Sequence, residues 1–227
     1  MASFTTVSDR LSVCERFYSI QGESTWAGLP CLFIRLAGCN LRCRWCDSAY
    51  SFEGGELCSV AELVSWAQNQ PCPLVELTGG EPLVQAGVYP LMDQLLAGGK
   101  TLLLETNGSV DLLRVPPEVC AIVDVKCPGS GMVDSFCPDN LARLASRRGL
   151  GSRDELKFVL ADETDFFWAL DFVRKHRLHE LTPVLFSPVQ PGLKPERLAA
   201  LMLAQNAPVR LQLQLHTLIW PGKLRGV

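Results

Sequence analysis

Three cysteines near residue 40 have the spacing needed to hold a metal cluster. Cys39, Cys43 and Cys46 follow the pattern C-x3-C-x2-C. Three thiolates can bind three irons of a cubane cluster and leave the fourth iron open to a small molecule. Structural zinc sites usually have four protein ligands, and so do most electron-carrying clusters. Because no fourth Cys or His follows at such a spacing, the pattern favours an open cluster over zinc or incidental buried thiols.

Two glycine-containing segments and a lysine also follow apolar runs of the chain. They are Gly79-Gly80-Glu81-Pro82, Glu105-Thr106-Asn107-Gly108 and Lys126. Glycine lets the backbone approach a ligand closely, and asparagine tolerates a left-handed conformation. Each segment alone is more typical of a turn. Barrels and open α/β sheets place their sites at the carboxyl ends of strands, so we expect these segments to face one common mouth.

The elements that position these segments alternate between strands and helices. The predicted strands are Cys31–Leu36, Leu74–Thr78, Thr101–Glu105, Ala121–Val125, Glu155–Leu160, Thr182–Phe186 and Val209–Leu215, with Leu11–Ser19 as a leading strand. The predicted helices lie near Val60–Asn69, Val84–Ala97, Asp139–Arg148, Glu163–His176 and Pro195–Ala204. Most strand runs are continuously apolar, as in strands covered on both faces, whereas Val209–Leu215 alternates and indicates an edge.

Repeated strand–helix units predict parallel strands with right-handed crossovers. A closed barrel of eight units takes about 250 residues, and this chain has roughly six units. We therefore expect an α/β fold, an incomplete TIM-like barrel, in a single domain over residues 1–227.

The composition narrows the class of protein. The net charge is −3, whereas a general nucleic-acid binder is usually basic, so binding to nucleic acid is disfavoured. No apolar run reaches the length of about 18 residues that a membrane span needs. Met1–Arg10 lacks the basic stretch and apolar core of a secretory signal. We therefore expect a cytoplasmic chain with reduced cysteines.

Seven further cysteines show no second ligand pattern: Cys14, Cys31, Cys58, Cys72, Cys120, Cys127 and Cys137. The last three lie in one region, which leaves an auxiliary cluster as an alternative, but their spacing is loose. We expect most of the seven to be buried small side chains.

The cysteine loop resembles that of the radical S-adenosylmethionine superfamily, and Gly79–Pro82 is similar to its second segment. The resemblance implies a 4Fe-4S cluster whose open iron binds S-adenosylmethionine, and a 5′-deoxyadenosyl radical that takes a hydrogen from the substrate. The cofactor supplies this chemistry, and the protein orients it and excludes water. Glu81 would then bind the ammonium of the methionine moiety. The implied cofactor contacts are Trp45, Cys46, Asp47, Gly80, Glu81, Asn107, Asp124, Val125 and Lys126; for Trp45, ordinary packing is an equal alternative.

Longer segments resemble the family of 7-carboxy-7-deazaguanine synthases. They are Phe17–Glu23, Phe33–Leu36, Cys46-Asp47-Ser48, Thr78–Pro82, Glu105–Gly108, Asp124–Lys126, Asp154–Val159 and Leu213–His216. The resemblance implies a lyase that converts 6-carboxy-5,6,7,8-tetrahydropterin into 7-carboxy-7-deazaguanine with loss of ammonia, on the route to queuosine and other deazapurines. It also implies a magnesium ion, a homodimer, and an electron donor such as flavodoxin or ferredoxin.

The same resemblance implies the substrate contacts. They are Ile20, Gln21, Gly22, Glu23, Arg35, Asp47, Thr78 and His216. A pterin presents a guanine-like edge of N–H donors, which a carboxylate such as Glu23 can accept. Arg35 lies in an apolar strand and needs an anionic partner, either the substrate carboxylate or a structural ion pair. Asp47 would contact substrate or cofactor. A lone histidine such as His216 is otherwise more often structural.

Ser48 is the predicted magnesium ligand, at a position where threonine is usual in the family. Its hydroxyl is retained, but its rotamer is less restricted than that of threonine. Other departures are Ser24 in place of a common glycine, Asp124-Val125-Lys126 in place of Ser-Pro-Lys, and Thr217 in place of a frequent lysine.

Two alternative functions remain open at this stage. A glycyl-radical-enzyme activase would share the cysteine spacing and the Gly-Gly-Glu segment, but it needs an opening of protein size. A non-catalytic iron–sulfur or zinc protein would keep four protein ligands and would not respond to S-adenosylmethionine.

Overall fold

Residues 9–227 are described by the computed structural model, and within them nine strands form one sheet. The strands are β1 (Arg10–Ile20), β2 (Pro30–Leu36), β3 (Glu56–Ser59), β4 (Leu74–Gly79), β5 (Thr101–Thr106), β6 (Cys120–Asp124), β7 (Glu155–Leu160), β8 (Val184–Pro188) and β9 (Arg210–Leu211). The helices are α1 (Val60–Gln68), α2 (Val88–Ala97), α3 (Asp139–Gly149), α4 (Glu163–Lys175), α5 (Leu178–Leu181), α6 (Pro195–Ala204) and α7 (Leu215–Ile219). The expectation for Met1–Arg10 concerns a segment that lies mostly outside the described residues.

The sheet order is β3-β1-β2-β4-β5-β6-β7-β8-β9. The strands from β2 to β9 in this order are parallel, whereas β1 is antiparallel to both of its neighbours. Within the described residues β3 and β9 do not pair with each other, so the sheet stays open. This confirms the incomplete barrel, and the predicted leading strand is confirmed as β1.

Helices cover the outer face of the sheet in most crossovers, but the units are not all alike. The connection from β5 to β6 has no α-helix and contains one 3-10 turn, Leu112–Arg114. The helix predicted from Val84 begins at Val88, because Pro82–Val84 forms a separate 3-10 turn in which the Glu81 side chain accepts from the Leu83 amide. Strand β3 was not predicted; it has only four residues and pairs along β1.

The predicted strand Val209–Leu215 is wrong over most of its length. Only Arg210 and Leu211 pair with β8, and Leu215 begins α7. The alternating pattern had a different cause: the polar residues Gln212 and Gln214 point their amides at Glu23 instead of at solvent. A polar residue in such a pattern is not always on the exposed face.

The core lies between the outer face of the sheet and the helices. Phe158, Phe166 and Phe186 are fully buried there, and their rings pack edge to face with centroids 5.5 to 5.9 Å apart. Such pairs contribute about 0.5–1.5 kcal/mol beyond the burial of their area. No helix among the described residues has both the length and the apolar character needed to cross a bilayer.

Arg147 on α3 is a buried arginine. It connects three segments at the amino ends of β6 and β7, whereas the cysteine loop lies at the carboxyl ends of the strands. Its guanidinium pairs with Asp154 at 2.7 Å and donates to the carbonyls of Val115 and Val119 at 2.6 and 2.7 Å. Asp154 also accepts from the Ala121 amide at the start of β6. One guanidinium therefore positions the start of β6, the end of α3 and the segment before β7.

We predict that Arg147→Met destabilises the protein by about 3–5 kcal/mol, because it leaves the buried Asp154 carboxylate without its cation and the carbonyls of Val115 and Val119 without this donor. Urea denaturation measures the change. Arg148→Met, one residue further on the same helix and exposed, is the control and should change stability by less than about 0.5 kcal/mol. Equal effects of the two substitutions would contradict the structural role of Arg147.

Candidate active site

A cavity of about 330 Å³ lies at the carboxyl ends of the parallel strands. It brings together nearly all of the predicted site residues: Cys39, Cys43, Cys46, Ser48, Trp45, Asp47, Gly80, Asn107, Asp124, Lys126, Ile20, Gln21, Gly22, Glu23, Arg35, Thr78 and His216. Glu81 and Val125 are the two predicted residues that do not line it. The segments that follow the strands therefore line one common cavity, as expected.

The cysteine loop forms one wall of this cavity. Cys39, Cys43 and Cys46 are free, partly exposed thiols, and no fourth cysteine lines the cavity among residues 9–227. The Leu41 amide and the Asn107 side-chain amide donate to the Cys39 sulfur at 3.4 and 3.8 Å. Three thiols on one wall, with N–H donors directed at sulfur, fit a cubane cluster that keeps one iron open. They do not provide a closed zinc site.

The cysteine loop is held close to the loop after β4. The Gly80 amide donates to the Leu36 carbonyl at 3.1 Å, and the Glu81 amide donates to the Gly38 carbonyl at 2.9 Å. A Cβ on Gly80 would lie 1.9 Å from the Gly38 carbonyl oxygen, so no larger residue fits at this position. The glycine therefore serves a close approach of two backbones beside Cys39.

The Glu81 carboxylate is completely buried and has three donors within the protein. One oxygen accepts from the Leu83 amide at 3.0 Å and the Thr106 hydroxyl at 2.8 Å, and the other accepts from the Asn107 amide at 2.7 Å. Burial raises the pKa of Glu81, against the opposing effect of these hydrogen bonds. In this structure the Glu81 side chain joins two loops and does not line the cavity, and its role as a ligand of a cofactor ammonium stays a prediction.

Val125 is the other predicted contact that lies outside the cavity. Its side chain is buried, and its amide donates to the Lys157 carbonyl at 2.8 Å, which joins the end of β6 to β7. Its neighbours on both sides, Asp124 and Lys126, do line the cavity. Val125 therefore orients these two neighbours and makes no cavity contact of its own.

Asp124 and Lys126 form an ion pair at the cavity wall, with the Lys126 ammonium 2.7 Å from one Asp124 oxygen. Burial lowers the pKa of Lys126, but the Asp124 carboxylate together with Cys43 outweighs burial, and the pKa is raised. The other Asp124 oxygen is buried and has no hydrogen-bond donor among the described residues. A buried acceptor of this kind normally has a partner, so it fits a donor group on a bound molecule.

The loop after β1, with Glu23, also lines the cavity. The Glu23 carboxylate accepts from Gln214 at 2.9 Å, and the Glu23 amide donates to the Gln21 side chain at 2.9 Å. The Gly22 carbonyl accepts from the Leu215 amide at 2.9 Å, which holds His216 nearby. Ser24 has a φ of 64°, in the left-handed region that favours the glycine usual in the family.

Glu23, Asp47 and His216 come from three distant parts of the chain. Each presents one potential ligand atom, and these atoms lie within 4.8 Å of one another. The cavity therefore offers a carboxylate-rich region next to Ser48, whose hydroxyl lies 3.7 Å from the Cys46 sulfur. Hard oxygen donors of this kind suit a magnesium ion.

Arg35 has the structural partner that the sequence analysis left as an alternative. Its guanidinium lies 2.9 Å from Glu15, which also accepts from the Tyr50 hydroxyl at 2.8 Å. It lies over the rings of Phe17 and Tyr50 and still lines the cavity. The ion pair therefore fixes the guanidinium and leaves it accessible to an anion in the cavity.

Two charged residues on the inner face of the sheet, Glu76 and Lys157, were not predicted as site residues, and a third, Glu105, was predicted only as part of the segment Glu105–Gly108. Lys157 pairs with Glu105 and with Glu23, and Glu105 accepts from the Thr78 hydroxyl at 2.9 Å. Burial opposes ionisation of Glu105, but Lys157, helped by Thr78 and Arg35, outweighs burial and lowers the pKa of Glu105 to about 2. The available signal was a charge inside an apolar strand, the same signal that drew attention to Arg35.

The remaining cysteines are mostly buried, as predicted. Cys31, Cys58, Cys72, Cys120 and Cys127 are buried, whereas Cys14 and Cys137 are partly exposed, and all are free thiols. Burial raises the pKa of Cys31 and of Cys127, which keeps these thiols protonated and unreactive.

An open parallel barrel with a three-cysteine loop at its mouth defines the class of radical S-adenosylmethionine enzymes. The model of the Radical SAM superfamily matches residues 33–124. The solved structure of QueE from Escherichia coli shares the fold, with a TM-score of 0.72, 23% identity and coverage of 90% of this chain and 94% of that chain.

Curated relatives define the family more narrowly. The 7-carboxy-7-deazaguanine synthase of Chlorobaculum tepidum is 42% identical over 96% of this chain and 97% of the relative. That of Koribacter versatilis is 42% identical over 96% of this chain and 100% of the relative. The chain belongs to the 7-carboxy-7-deazaguanine synthase family.

Glu76, on β4 and lining the cavity, allows a test of how burial and neighbouring carboxylates affect a pKa in this site. It is buried and accepts from the Gln21 side chain. Burial first, and then the carboxylates of Glu105 and Glu23, raise its pKa well above the ordinary value. The unfolded chain therefore releases this proton at a lower pH than the folded chain, so the contribution of Glu76 to stability is full at acidic pH and declines as the pH rises.

We predict that Glu76→Gln, which keeps an acceptor for Gln21 but cannot ionise, flattens this decline. Between about pH 5 and about pH 8 the melting temperature of the unsubstituted protein should fall relative to that of the variant. Glu196→Gln, at an exposed position on α6, is the matched control. Its melting temperature should depend on pH in the same way as that of the unsubstituted protein. If the melting temperatures of Glu76→Gln and of the unsubstituted protein changed equally with pH across this range, Glu76 would be ionised in the folded state and the prediction would be wrong.

Proposed function

We propose that this chain is a radical S-adenosylmethionine lyase that converts 6-carboxy-5,6,7,8-tetrahydropterin into 7-carboxy-7-deazaguanine with loss of ammonia, in queuosine and deazapurine biosynthesis. One observation carries the proposal: a single cavity is lined both by the three cysteines and by the Glu23 loop. Family membership, with relatives of this name aligned over almost the whole chain, supports the same substrate.

Cys39, Cys43 and Cys46 would hold the 4Fe-4S cluster. With S-adenosylmethionine bound, this group supplies the one-electron chemistry that begins hydrogen abstraction from the substrate. The protein's part is to orient the cofactor and to keep water away from it. The Lys126 ammonium suits the cofactor carboxylate, and the free Asp124 oxygen suits a ribose hydroxyl.

Further cofactor contacts come from the loops beside the cysteines. Gly80 permits close approach of the backbone, and the Asn107 amide lies next to Asn40 and Cys39. Trp45 lines the cavity and offers a flat apolar surface. These groups bind and orient; they do not themselves react.

The substrate would lie between Glu23, in the loop after β1, and Arg35. A carboxylate accepts well from the N–H groups of the pterin edge, and Glu23 is held in place by Gln214. Arg35 suits the substrate carboxylate, since a guanidinium binds this group through two parallel hydrogen bonds. The backbone of Ile20, Gln21 and Gly22 would frame the ring, with Thr78, Asp47 and His216 as further contacts.

The wider setting follows from the family. A magnesium ion on Ser48 would bind the substrate carboxylate and stabilise charge during the rearrangement. We propose a cytoplasmic homodimer in which residues 1–227 form a single domain, with a flavodoxin or ferredoxin as electron donor. Neither nucleic acid nor a membrane is a proposed partner.

An anaerobic turnover assay tests the proposal. The reconstituted protein is supplied with S-adenosylmethionine, dithionite, magnesium and 6-carboxytetrahydropterin, and the products are identified by mass. A deazaguanine carboxylate formed over many turnovers per S-adenosylmethionine is the expected result. Deoxyadenosine without that product would retain the radical chemistry but reject the substrate, and a glycyl-radical-enzyme activase would become the leading alternative.

Ser48 gives a prediction for the magnesium site. Ser48→Ala should leave the cluster spectrum unchanged and raise the magnesium concentration needed for half-maximal turnover by about tenfold, a loss seen even for outer-shell residues of metal sites. Ser48→Thr, which keeps the hydroxyl and restricts its rotamer, is the control and should need no more magnesium than the unsubstituted enzyme. An identical magnesium response in Ser48→Ala would remove Ser48 from the ligands.

A further inference from the structure

Lys157 is the most buried cation on the floor of the cavity. It lies on β7, and only 3% of its surface is exposed. An unpaired ammonium at such a depth would cost several kcal/mol, so its partners determine whether it keeps its charge. Burial lowers the pKa of Lys157, but the carboxylates around it prevail and raise it. It is therefore an ammonium in the folded protein.

The partners of Lys157 come from three different segments. Its nitrogen lies 2.8 Å from Glu23 in the loop after β1, pairs with Glu105 on β5, and lies 3.9 Å from Asp124 on β6. All three carboxylates line the cavity, and so does Lys157 itself. A purely structural ion pair needs one partner, and nothing requires that partner to face a cavity. This arrangement instead places one cation between three carboxylates that line the cavity.

Lys157 is the cation that pairs with Glu23. Glu105 has a second donor in Thr78, and Asp124 has a second cation in Lys126. Glu23 has Lys157 as its one ion-pair partner among residues 9–227, together with amide donors from Gln214 and, at 3.4 Å, Gln212. Lys157 and Gln214 hold different oxygens of the carboxylate, Oε2 and Oε1. Each oxygen keeps acceptor capacity, so the carboxylate can still receive N–H donors from the cavity.

We propose that Lys157 is a positioning residue for substrate recognition: it fixes the Glu23 carboxylate in the orientation that accepts the N–H edge of an aminopyrimidinone ring. This inference rests on the proposed function and extends it to a residue that does not itself contact that edge. Without the ammonium, Glu23 faces Glu105 and Asp124 with no cation between them, so it turns away or takes up a proton. In either case it loses acceptor capacity toward the substrate.

A double-mutant cycle on the Michaelis constant tests this inference. Lys157→Met should raise the KM for 6-carboxytetrahydropterin by about tenfold or more, as truncation of one member of a buried charge pair does in binding sites. Glu23→Gln should raise KM by a similar factor. Because Lys157 acts through Glu23, the double variant should be no worse than Glu23→Gln alone.

Two further variants separate positioning from folding. Lys157→Arg keeps the charge, so it should fold like the unsubstituted protein, but its planar guanidinium cannot occupy the place of an ammonium, and KM should still rise. Lys175→Met, on the exposed face of α4, is the control and should change neither KM nor the melting temperature. If Lys157→Met does not fold, the cycle is run with Lys157→Arg and Glu23→Gln.

The outcomes are distinct. An unchanged KM in Lys157→Met and Lys157→Arg, or effects that add in the double variant, would overturn the positioning role while leaving the proposed function intact. If the unsubstituted enzyme shows no turnover of the pterin, the proposed function fails, and this inference fails with it.

Discussion

The buried carboxylate of Glu81 is the interaction on which the geometry of the active site depends. It receives donors from the loops after β4 and β5, and the backbone amide of the same residue donates to the cysteine loop at Gly38. Three loops therefore meet at one residue. Because these three hydrogen bonds are buried away from competing water, this contact is well suited to fix loops that otherwise lie on the surface. Asn107, positioned in this way, reaches the sulfur of Cys39.

The inner face of the barrel carries the second constraint. A closed eight-stranded barrel fills its interior with apolar side chains, whereas here the inner face carries Glu76, Glu105, Asp124 and Lys157. Such charges persist inside a protein only when they are paired or neutralised. Burial raises the pKa of Glu76, which favours its neutral form, and Glu105 and Asp124 lie around the Lys157 ammonium. The open sheet exchanges part of a hydrophobic core for a polar cavity able to bind a charged cofactor and a carboxylate-bearing substrate.

Much of this arrangement could be predicted from the sequence. The parallel strands followed from apolar runs separated by helical segments, and the shared mouth followed from the rule that sites lie at the carboxyl ends of strands. The sequence was least informative where a side chain had two possible environments. Glu81 could face a ligand or the backbone, and only the folded loops show that it accepts from three protein donors. Lys157 lay in a segment that resembled the family, but no local pattern links it to Glu23, 134 residues away.

The central claim is that three cysteines hold a cluster with one iron open to S-adenosylmethionine. It is tested most directly by electron paramagnetic resonance of the anaerobically reconstituted, reduced protein, recorded with and without S-adenosylmethionine. One 4Fe-4S cluster per chain, with a signal that changes on addition of S-adenosylmethionine, is the predicted result. A cluster signal that S-adenosylmethionine leaves unchanged would show that all four irons are already coordinated and would contradict the account.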